Sequence, residues 1–258
     1  MRYYIVDAFT ETPFKGNPAG VCLLDSNLDD KIMQNIASEN NLSETAFLLK
    51  ENDEYLIRWF TPEVEIDLCG HATLATSFVL MNYVDPSMES VSFNSKSGNL
   101  SVKRKKDLYF LNFPARKPKP CEIPNVIKDA LKVDIIEAYK SRDLMVVVEN
   151  EDTVRNLKPD FSMLKDVGGA FGIIVTAKGE SVDFVSRFFA PGAGIPEDPV
   201  TGSSHCTLIP FWSERLGKSE MEALQLSKRG GRLYCKNLND RVEIGGRAVC
   251  YLKGEILI

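Results

Sequence analysis

Hydrophobic and polar positions recur along this chain with two different periods, which predict helices and strands. In the segment 30–40, apolar residues fall at helical spacing and the opposite face is polar, so we expect an amphipathic surface helix there. Runs of β-branched and aromatic residues, of which 144–148 and 182–185 are clear examples, predict strands. The chain is therefore expected to combine helices with strands.

Two further apolar runs each follow a turn that contains glycine. After Gly70, the segment 72–80 is apolar on nearly every side, a pattern typical of a helix that is buried all round. The segment 206–212 after Gly202 is similar. It contains Pro210, which we expect in the first turn of the element or at a kink.

These elements belong to an internal repeat. The segments 58–62 and 187–191 share the order arginine, aromatic residue, phenylalanine, small residue and proline, and they lie about half of the chain apart. Apolar segments before them and turns after them also match in order: 46–49 with 170–175, and 69–74 with 201–208. The alternative is a common strand pattern that occurs twice by chance. The agreement of several elements in order favours two related halves.

A proline-rich segment, 114–124, separates the two halves. Its prolines are interspersed with basic residues, and such a segment cannot pair well as a central strand. We interpret it as a semi-rigid linker. The expected organisation is an N-terminal half at 1–115 and a C-terminal half at 116–258.

The charge of the chain limits the classes of partner. Lysine and arginine total 31, and aspartate and glutamate total 36, which gives a net charge of −5. The basic run 103–106 contains no aromatic residues and is typical of a solvated strand end or turn. We therefore expect no binding to nucleic acid and no polybasic membrane anchor.

The sequence also lacks the features of a targeting signal or a membrane span. Its first residues begin a strand pattern without the apolar core of a signal peptide. No apolar run approaches the roughly 18 residues that cross a bilayer. The cysteines are scattered, and free thiols fit this pattern better than a disulfide framework. We expect a cytoplasmic protein.

The two histidines of the chain, His71 and His205, both follow the repeated turns. Each turn opens a predicted buried helix, whose free backbone N–H groups can bind an anion. A helix cap is the structural alternative for either turn. The pair of turns favours a site for a carboxylate-bearing substrate.

Two carboxylates stand out near these turns. Asp198 precedes a proline at the second turn, where it can cap the turn, act as an acid or base, or bind a substrate amine. Glu44 lies between the predicted helix 30–40 and an apolar strand. Partial desolvation there suits a general acid or base, although an exposed glutamate at a strand edge fits equally well.

A zinc site is a different class of interpretation. Cys69, His71, His205 and Cys206 supply the donors of a Cys₂His₂ set. Their Cys-Gly-His and His-Cys spacings are not those of the usual zinc motifs. We therefore predict no metal. A nucleophilic triad of Ser203, histidine and Asp198 is no better supported, since no G-x-S-x-G elbow presents the serine.

An ordered set of motifs resembles the phenazine-biosynthesis-like isomerases, relatives of diaminopimelate epimerase. The motifs are D-A-F-T at 7–10, G-N-P-A-G-V at 16–21, N-L-S-E-T-A-F at 41–47, F-T-P at 60–62, D-L-C-G-H-A-T at 67–73 and E-D-P-V-T-G-S at 197–203. The resemblance implies an α/β fold of two pseudo-symmetric halves. Each half is a curved, mostly antiparallel sheet wrapped round a central helix, and the last strand packs on the N-terminal half. It also implies a homodimer and no cofactor.

The resemblance further implies an activity on a small molecule. In the phenazine enzyme a glutamate moves a proton between two carbons of trans-2,3-dihydro-3-hydroxyanthranilate, and Glu44 occupies the matching position. More generally, the substrate is expected to be a small amino or hydroxy carboxylic acid. The positions that match its other contacts are His71 and Asp198, which would polarise the substrate, and Ser203, Gly70 and Gly202, which would hold its carboxylate.

Two other functions remain open at this point. A racemase or epimerase of the related kind uses two opposed thiols, one at the position of Cys69. The matching turn 198–202 has no cysteine, and Cys206 comes too late to replace it. Cys69 is then either a substrate contact or a small buried residue. The other alternative is a non-catalytic small-molecule binder with the same fold.

Overall fold

The structure is a computed structural model, and it describes residues 1–52, 54–165, 167 and 169–258. The chain separates into two compact units. The N-terminal unit consists of Met1–Asn112 and Gly245–Ile258, and the C-terminal unit consists of Phe113–Ile244. Among the described residues, no helix is both long enough and apolar enough to cross a membrane.

Strands are the main secondary structure of both units. Numbered in chain order, they are β1 (Arg2–Ala8), β2 (Asn17–Leu24), β3 (Glu44–Glu51), β4 (Glu54–Phe60), β5 (Glu65–Ile66), β6 (Ser90–Ser95), β7 (Gly98–Lys105), β8 (Leu108–Pro114), β9 (Lys119–Pro120), β10 (Ile135–Lys140), β11 (Leu144–Val148), β12 (Ile173–Lys178), β13 (Phe184–Ala190), β14 (Ile195–Asp198), β15 (Glu220–Gln225), β16 (Gly231–Asn237), β17 (Arg241–Gly246) and β18 (Ala248–Glu255). Strand 144–148 has the predicted bounds, whereas the strand expected at 182–185 begins two residues later and continues to Ala190.

The helices are fewer. They are α1 (Asp30–Asn40), α2 (Gly70–Val79), α3 (Asn125–Leu131), α4 (Glu151–Asn156) and α5 (Gly202–Leu216), with a π-helical turn at Leu80–Val84 and 3₁₀ turns at Met163–Lys165 and Pro191–Ala193. The prediction of α1 is confirmed. Its N-cap, Asp29, accepts a hydrogen bond from the amide of Lys31, and Asn41 ends it in the left-handed conformation.

The N-terminal unit is a mostly antiparallel sheet against a buried helix. Strand β1 pairs antiparallel with both β2 and β18, so the end of the chain joins the first strand. Strands β2 and β3 are parallel, β3 and β4 antiparallel, and β4 pairs antiparallel with β5 and parallel with β6. Helix α2 packs on β1, β2 and β3 and is buried along nearly its whole length, as its apolar sequence predicts.

The C-terminal unit repeats this pattern of pairing. Strands β11 and β12 are parallel, β12 and β13 antiparallel, and β13 pairs antiparallel with β14 and parallel with β15. Helix α5 packs on β15 and β16. The prediction of two related α/β halves is confirmed.

The repeated arginines occupy equivalent positions in the two sheets. Arg58 in β4 forms an ion pair with Glu65 in β5, with Nε 2.8 Å from Oε1. Arg187 in β13 pairs with Glu197 in β14, with Nε 2.7 Å from Oε1. Each guanidinium also lies over an aromatic ring of its own strand, at 5.2 and 5.0 Å from the centroids. The shared sequence pattern therefore has the same structural role in both halves.

Two details differ from the sequence-based expectations. Part of the proline-rich segment forms β9, which pairs with β10 rather than remaining a plain linker. Pro210 lies in the middle of α5, which excludes the first turn, one of the two places expected for it. A proline there leaves the carbonyl of Cys206 without its usual helical donor, and the backbone N–H of Arg116 donates to that oxygen instead at 2.8 Å.

Candidate active site

The start of three elements positions the candidate residues of the N-terminal unit. Asn17 is the first residue of β2, and Glu44 is the first residue of the parallel neighbour β3. Helix α2 begins at Gly70, so that Cys69 is its N-cap and His71 lies in its first turn. The four side chains are buried, with exposed fractions of 0% for Asn17, 8% for Glu44, 6% for Cys69 and 5% for His71.

These side chains meet around the imidazole of His71. Its Nε2 lies 3.1 Å from Oε2 of Glu44. On the other side of the ring, Nδ1 lies 3.5 Å from Sγ of Cys69 and 3.2 Å from Nδ2 of Asn17. Neither Nε2 of His71 nor Oε2 of Glu44 makes an aligned hydrogen bond with any described residue. The contact is therefore a close charge pair between two buried atoms.

The charge state of His71 follows from these neighbours. Burial acts to lower the pKa of the imidazole, but its contacts with Cys69 and Glu44 act in the opposite direction and hold that pKa well above its ordinary value. Burial, with the Glu44 carboxylate, raises the pKa of the Cys69 thiol. Because the thiol is then protonated at neutral pH, Glu44 is the partner that keeps His71 charged.

Glu44, Cys69 and His71 also supply three donor types that metal ions bind. The donor atoms of Glu44, Cys69 and His71 all lie within 4.8 Å of one another. However, the carboxylate contacts Nε2 and the thiol contacts Nδ1 of the same ring. An ion bound to either nitrogen would have only one of the two other ligands directly beside it. That falls short of the tetrahedral set that zinc requires.

In the C-terminal unit, Asp198 helps to hold the turn that precedes α5. The hydroxyl of Thr201 donates to Oδ2 of Asp198 at 2.6 Å. Gln225, fully buried in β15, accepts from the amide of Thr201 at 2.9 Å and donates to the carbonyl of Asp198 at 2.8 Å. The turn-capping interpretation of Asp198 thus has a structural basis, and its part in catalysis stays a prediction.

Gly202 and Ser203 form the first turn of α5. The hydroxyl of Ser203 accepts a hydrogen bond from Nη2 of Arg142 at 3.1 Å. Within the described part of the chain, no side-chain hydrogen bond caps the N-terminus of α2 or of α5. First-turn amides have no partner within a helix, so both turns keep donors for an anion.

His205, the second histidine of the chain, is buried in the first turn of α5. Its ring is fully buried, with Nδ1 2.8 Å from the carbonyl of Thr201 and the ring centroid 5.9 Å from that of Phe184. Burial lowers its pKa to about 4, although the Thr201 carbonyl opposes the shift. Since α2 and α5 begin at Gly70 and Gly202, the counterpart of His71 is Ser203. His205 is a neutral structural residue.

The register of the sheets also identifies the counterpart of Glu44. Phe47 in β3 pairs with Arg58 in β4, and Val175 in β12 pairs with Arg187 in β13, so Val175 corresponds to Phe47. Glu44 lies three positions before Phe47, and its counterpart therefore lies three positions before Val175. That residue is Gly172. A Cβ atom there would lie 2.4 Å from Cζ of Phe188 and 3.0 Å from the carbonyl oxygen of Phe189, so a side chain would require the Phe188 ring to shift. The carboxylate at this position therefore exists in one half only.

Sequence reasoning missed three residues of these turns. Asn17 belongs to the G-N-P-A-G-V motif, but no contact was predicted for it. It contacts His71 because β2 packs on α2. Arg142 and Gln225 carry no local signal, because each contacts a turn that is distant along the chain.

Comparisons with known proteins agree with this fold. A family model described as phenazine biosynthesis-like protein matches residues 6–254. An uncharacterized isomerase of Pseudomonas aeruginosa is 49% identical over 256 residues, which cover 99% of this chain and 98% of that protein. A crystal structure of a PhzF-family phenazine biosynthesis protein from Enterococcus faecalis is 53% identical, with a TM-score of 0.98 over 100% of this chain and 99% of that chain. The chain belongs to the phenazine biosynthesis-like family.

A more distant structure shares the fold alone. A probable proline racemase from Agrobacterium radiobacter is 9% identical, with a TM-score of 0.64 over 100% of this chain and 93% of that chain. The expected family and fold are thus confirmed, and relatives of the chain include proteins named as isomerases.

Proposed function

We propose that this protein is a cofactor-independent isomerase that moves a proton on a small amino or hydroxy carboxylic acid. The observation that carries the proposal is the buried Glu44 carboxylate, 3.1 Å from an imidazole whose pKa it helps to raise. The trans-2,3-dihydro-3-hydroxyanthranilate isomerisation that the resemblance implies is the specific reaction to test.

In this mechanism Glu44 is the only base. Its carboxylate removes a proton from an activated carbon of the substrate, and the resulting carboxylic acid returns the proton to another carbon. His71 stabilises the ionised carboxylate between turnovers, and its positive charge stabilises the anionic intermediate. The first-turn amides of α2 point at the same developing charge. Acid–base transfer of this kind contributes on the order of 10²–10⁴ in rate.

Binding roles are proposed for the remaining candidates. His71 and Asp198 would bind the amino or hydroxyl group of the substrate. The residues that would contact its carboxylate or line its binding position are Cys69, Gly70, Gly202 and Ser203. The uncapped first turns of α2 and α5 support these roles, because their amides can serve as anion donors.

A two-thiol racemase is not favoured. Helices α2 and α5 have Cys69 and Thr201 as corresponding N-caps, so the second thiol is missing at the equivalent position. Gly172 at the position that corresponds to Glu44 likewise removes a second base. Both observations support a mechanism with a single acid–base residue.

The deciding experiment is proton NMR of the purified protein with trans-2,3-dihydro-3-hydroxyanthranilate in D₂O. We expect the wild type to isomerise the substrate and Glu44→Gln to be inactive. Glu51→Gln is the matched control, because Glu51 is exposed at the far end of the same strand. Equal turnover by the wild type and Glu44→Gln would refute the role of Glu44. If the variant binds substrate and neither protein turns over any small amino or hydroxy acid, the binder interpretation replaces the isomerase.

The resemblance underlies a proposal for the assembly of the protein, and the scattered cysteines underlie one for its location. We propose a homodimer that acts in the cytoplasm. Multi-angle light scattering of the purified chain measures the mass directly, and a monomer mass at micromolar concentration would refute the dimer.

A further inference from the structure

An arginine of the C-terminal unit is oriented from three sides beside the first turn of α5. Both oxygens of Asp143, which is 0% exposed, accept from Arg142, at 3.0 Å from Nε and 2.8 Å from Nη2. The guanidinium carbon lies 4.6 Å from the ring centroid of Phe171. Nη2 also donates to Ser203. A fork held in this way loses little further freedom when it binds a ligand.

The third nitrogen of this guanidinium, Nη1, makes no hydrogen bond to the described residues. Nε and Nη2 make the contacts given above. The Arg142 side chain is 32% exposed, so a small ligand can reach it. Its backbone carbonyl accepts from the amide of Phe171 at 3.2 Å, and Ser141 contacts Thr207 of α5 at 3.0 Å. The whole loop is therefore fixed against α5.

A second arginine adds positive charge to the same region. The backbone N–H of Arg116 donates to Cys206 in α5, and Nη1 of its guanidinium is buried without a hydrogen-bond partner among the described residues. The positive charge of Arg116 acts to lower the pKa of the Asp143 carboxyl and that of the Cys206 thiol. The charges of both guanidinium groups therefore act on the same buried carboxylate, Asp143. A buried N–H of a charged group without an acceptor is costly, so an anion is favoured here.

We propose that Arg142 is the residue that recognises the substrate carboxylate, together with the hydroxyl of Ser203 and the first-turn amides of α5. The inference rests on the proposed function, since it takes a carboxylic acid as the substrate class. The Nη1 of Arg142 and the hydroxyl of Ser203 would offer two neighbouring donors, which match the two oxygens of a carboxylate. Arg142 thereby determines specificity without taking part in proton transfer.

The test is an NMR titration of ¹⁵N-labelled protein with anthranilate, a stable amino carboxylate, and with 2-aminobenzamide, its uncharged analogue. We expect anthranilate to shift the amides of Gly202 and Ser203 and the Nε–H of Arg142 in a saturable manner. The amide analogue should bind at least about tenfold more weakly, as expected for loss of a charge-assisted hydrogen bond. Inorganic phosphate, added separately, should shift these signals less than anthranilate does.

Variants of Arg142 and Asp143 distinguish a loss of carboxylate binding from a loss of folding. Arg142→Gln leaves Asp143 buried without its partner, so the double variant Arg142→Gln with Asp143→Asn removes both charges together. We expect this variant to bind anthranilate about tenfold more weakly, while its affinity for 2-aminobenzamide is unchanged. Arg232→Gln, which alters an exposed ion pair of the same unit, is the matched control and should bind anthranilate normally.

Three results would overturn the proposal: no shift at Ser203 and Gly202 with anthranilate, equal binding of acid and amide, or full affinity in the double variant. Glu44→Gln distinguishes this inference from the proposed function. It should keep its affinity for anthranilate even though it lacks turnover. A wild type that isomerises nothing but binds anthranilate through Arg142 would refute the isomerase and leave the recognition intact.

Discussion

Replacing Glu44 by glutamine should remove the positive charge of His71 at neutral pH. The two groups lie 3.1 Å apart and are both buried. At an effective dielectric constant of about 20, two unit charges at this distance attract by about 5 kcal/mol. Burial opposes the charged imidazole, and it acts without this compensation when the carboxylate is gone. The pKa of His71 should therefore fall from well above its ordinary value to below it.

Long-range ¹H–¹⁵N spectra of the histidine side chains measure this change. The chain has two histidines, so the spectrum is simple to assign. His205, whose pKa is lowered to about 4, serves as an internal reference that is neutral at pH 7. We expect His71 to be doubly protonated at pH 7 in the wild type and neutral in Glu44→Gln. Glu51→Gln should behave as the wild type.

Two outcomes would refute this reasoning. One is a neutral His71 in the wild type at pH 7, since Glu44 would then not hold the ring charged. The other is a His71 that stays charged in Glu44→Gln, which would assign the charge to Cys69 instead. A wild-type pKa above the unfolded value also has a consequence for stability. The stabilisation of the folded state that comes from the charged His71 is fully present below about pH 6.5, the unfolded pKa of histidine. It is lost as pH rises through the pKa of His71 in the folded state.

Three further changes follow from the packing around the site. Cys69→Ala should keep turnover within a few-fold, because the thiol is protonated and Glu44 acts alone; a loss of about 10²-fold or more in kcat would give Cys69 an acid–base role. Gly246→Ala should destabilise the fold by about 1–3 kcal/mol in urea unfolding, because a Cβ there lies 2.4 Å from Cδ1 of Phe9. An unchanged unfolding midpoint would show that this ring moves freely. His205→Ala should cost about 2–4 kcal/mol of stability with little change in KM, whereas a specific rise in KM would return His205 to the binding site.

Periodicity within short windows predicted the individual elements well. The helix at 30–40 was predicted with its observed bounds, because the spacing of its apolar face is a local signal. The buried helix after Gly70 was predicted for the same reason. The paired repeat then identified equivalent strands, since both copies of the Arg-aromatic-Phe pattern form the same ion pair.

Contacts between distant segments could not be derived in this way. Arg142 meets Ser203 only because a loop after β10 packs along α5. Pro210 was expected to kink or begin its helix, but the amide that replaces its missing donor comes from Arg116, far away in the sequence. Both histidines follow the repeated turns, but they are not equivalent, because their positions differ by two residues relative to the helix starts.

The glycine that corresponds to Glu44 has a stereochemical consequence. An enzyme with a base in each of two equivalent positions removes hydrogen from one face of a carbon and supplies it from the opposite face, which inverts the centre. Here Gly172 leaves one half without a carboxylate, and Phe188 occupies the space that a side chain would need. On the proposed mechanism the hydrogen must leave and return on the same face of the substrate. A deuterium placed at the reacting carbon should then partly survive in the product as an intramolecular transfer, and the configuration of the new centre reports which face Glu44 serves.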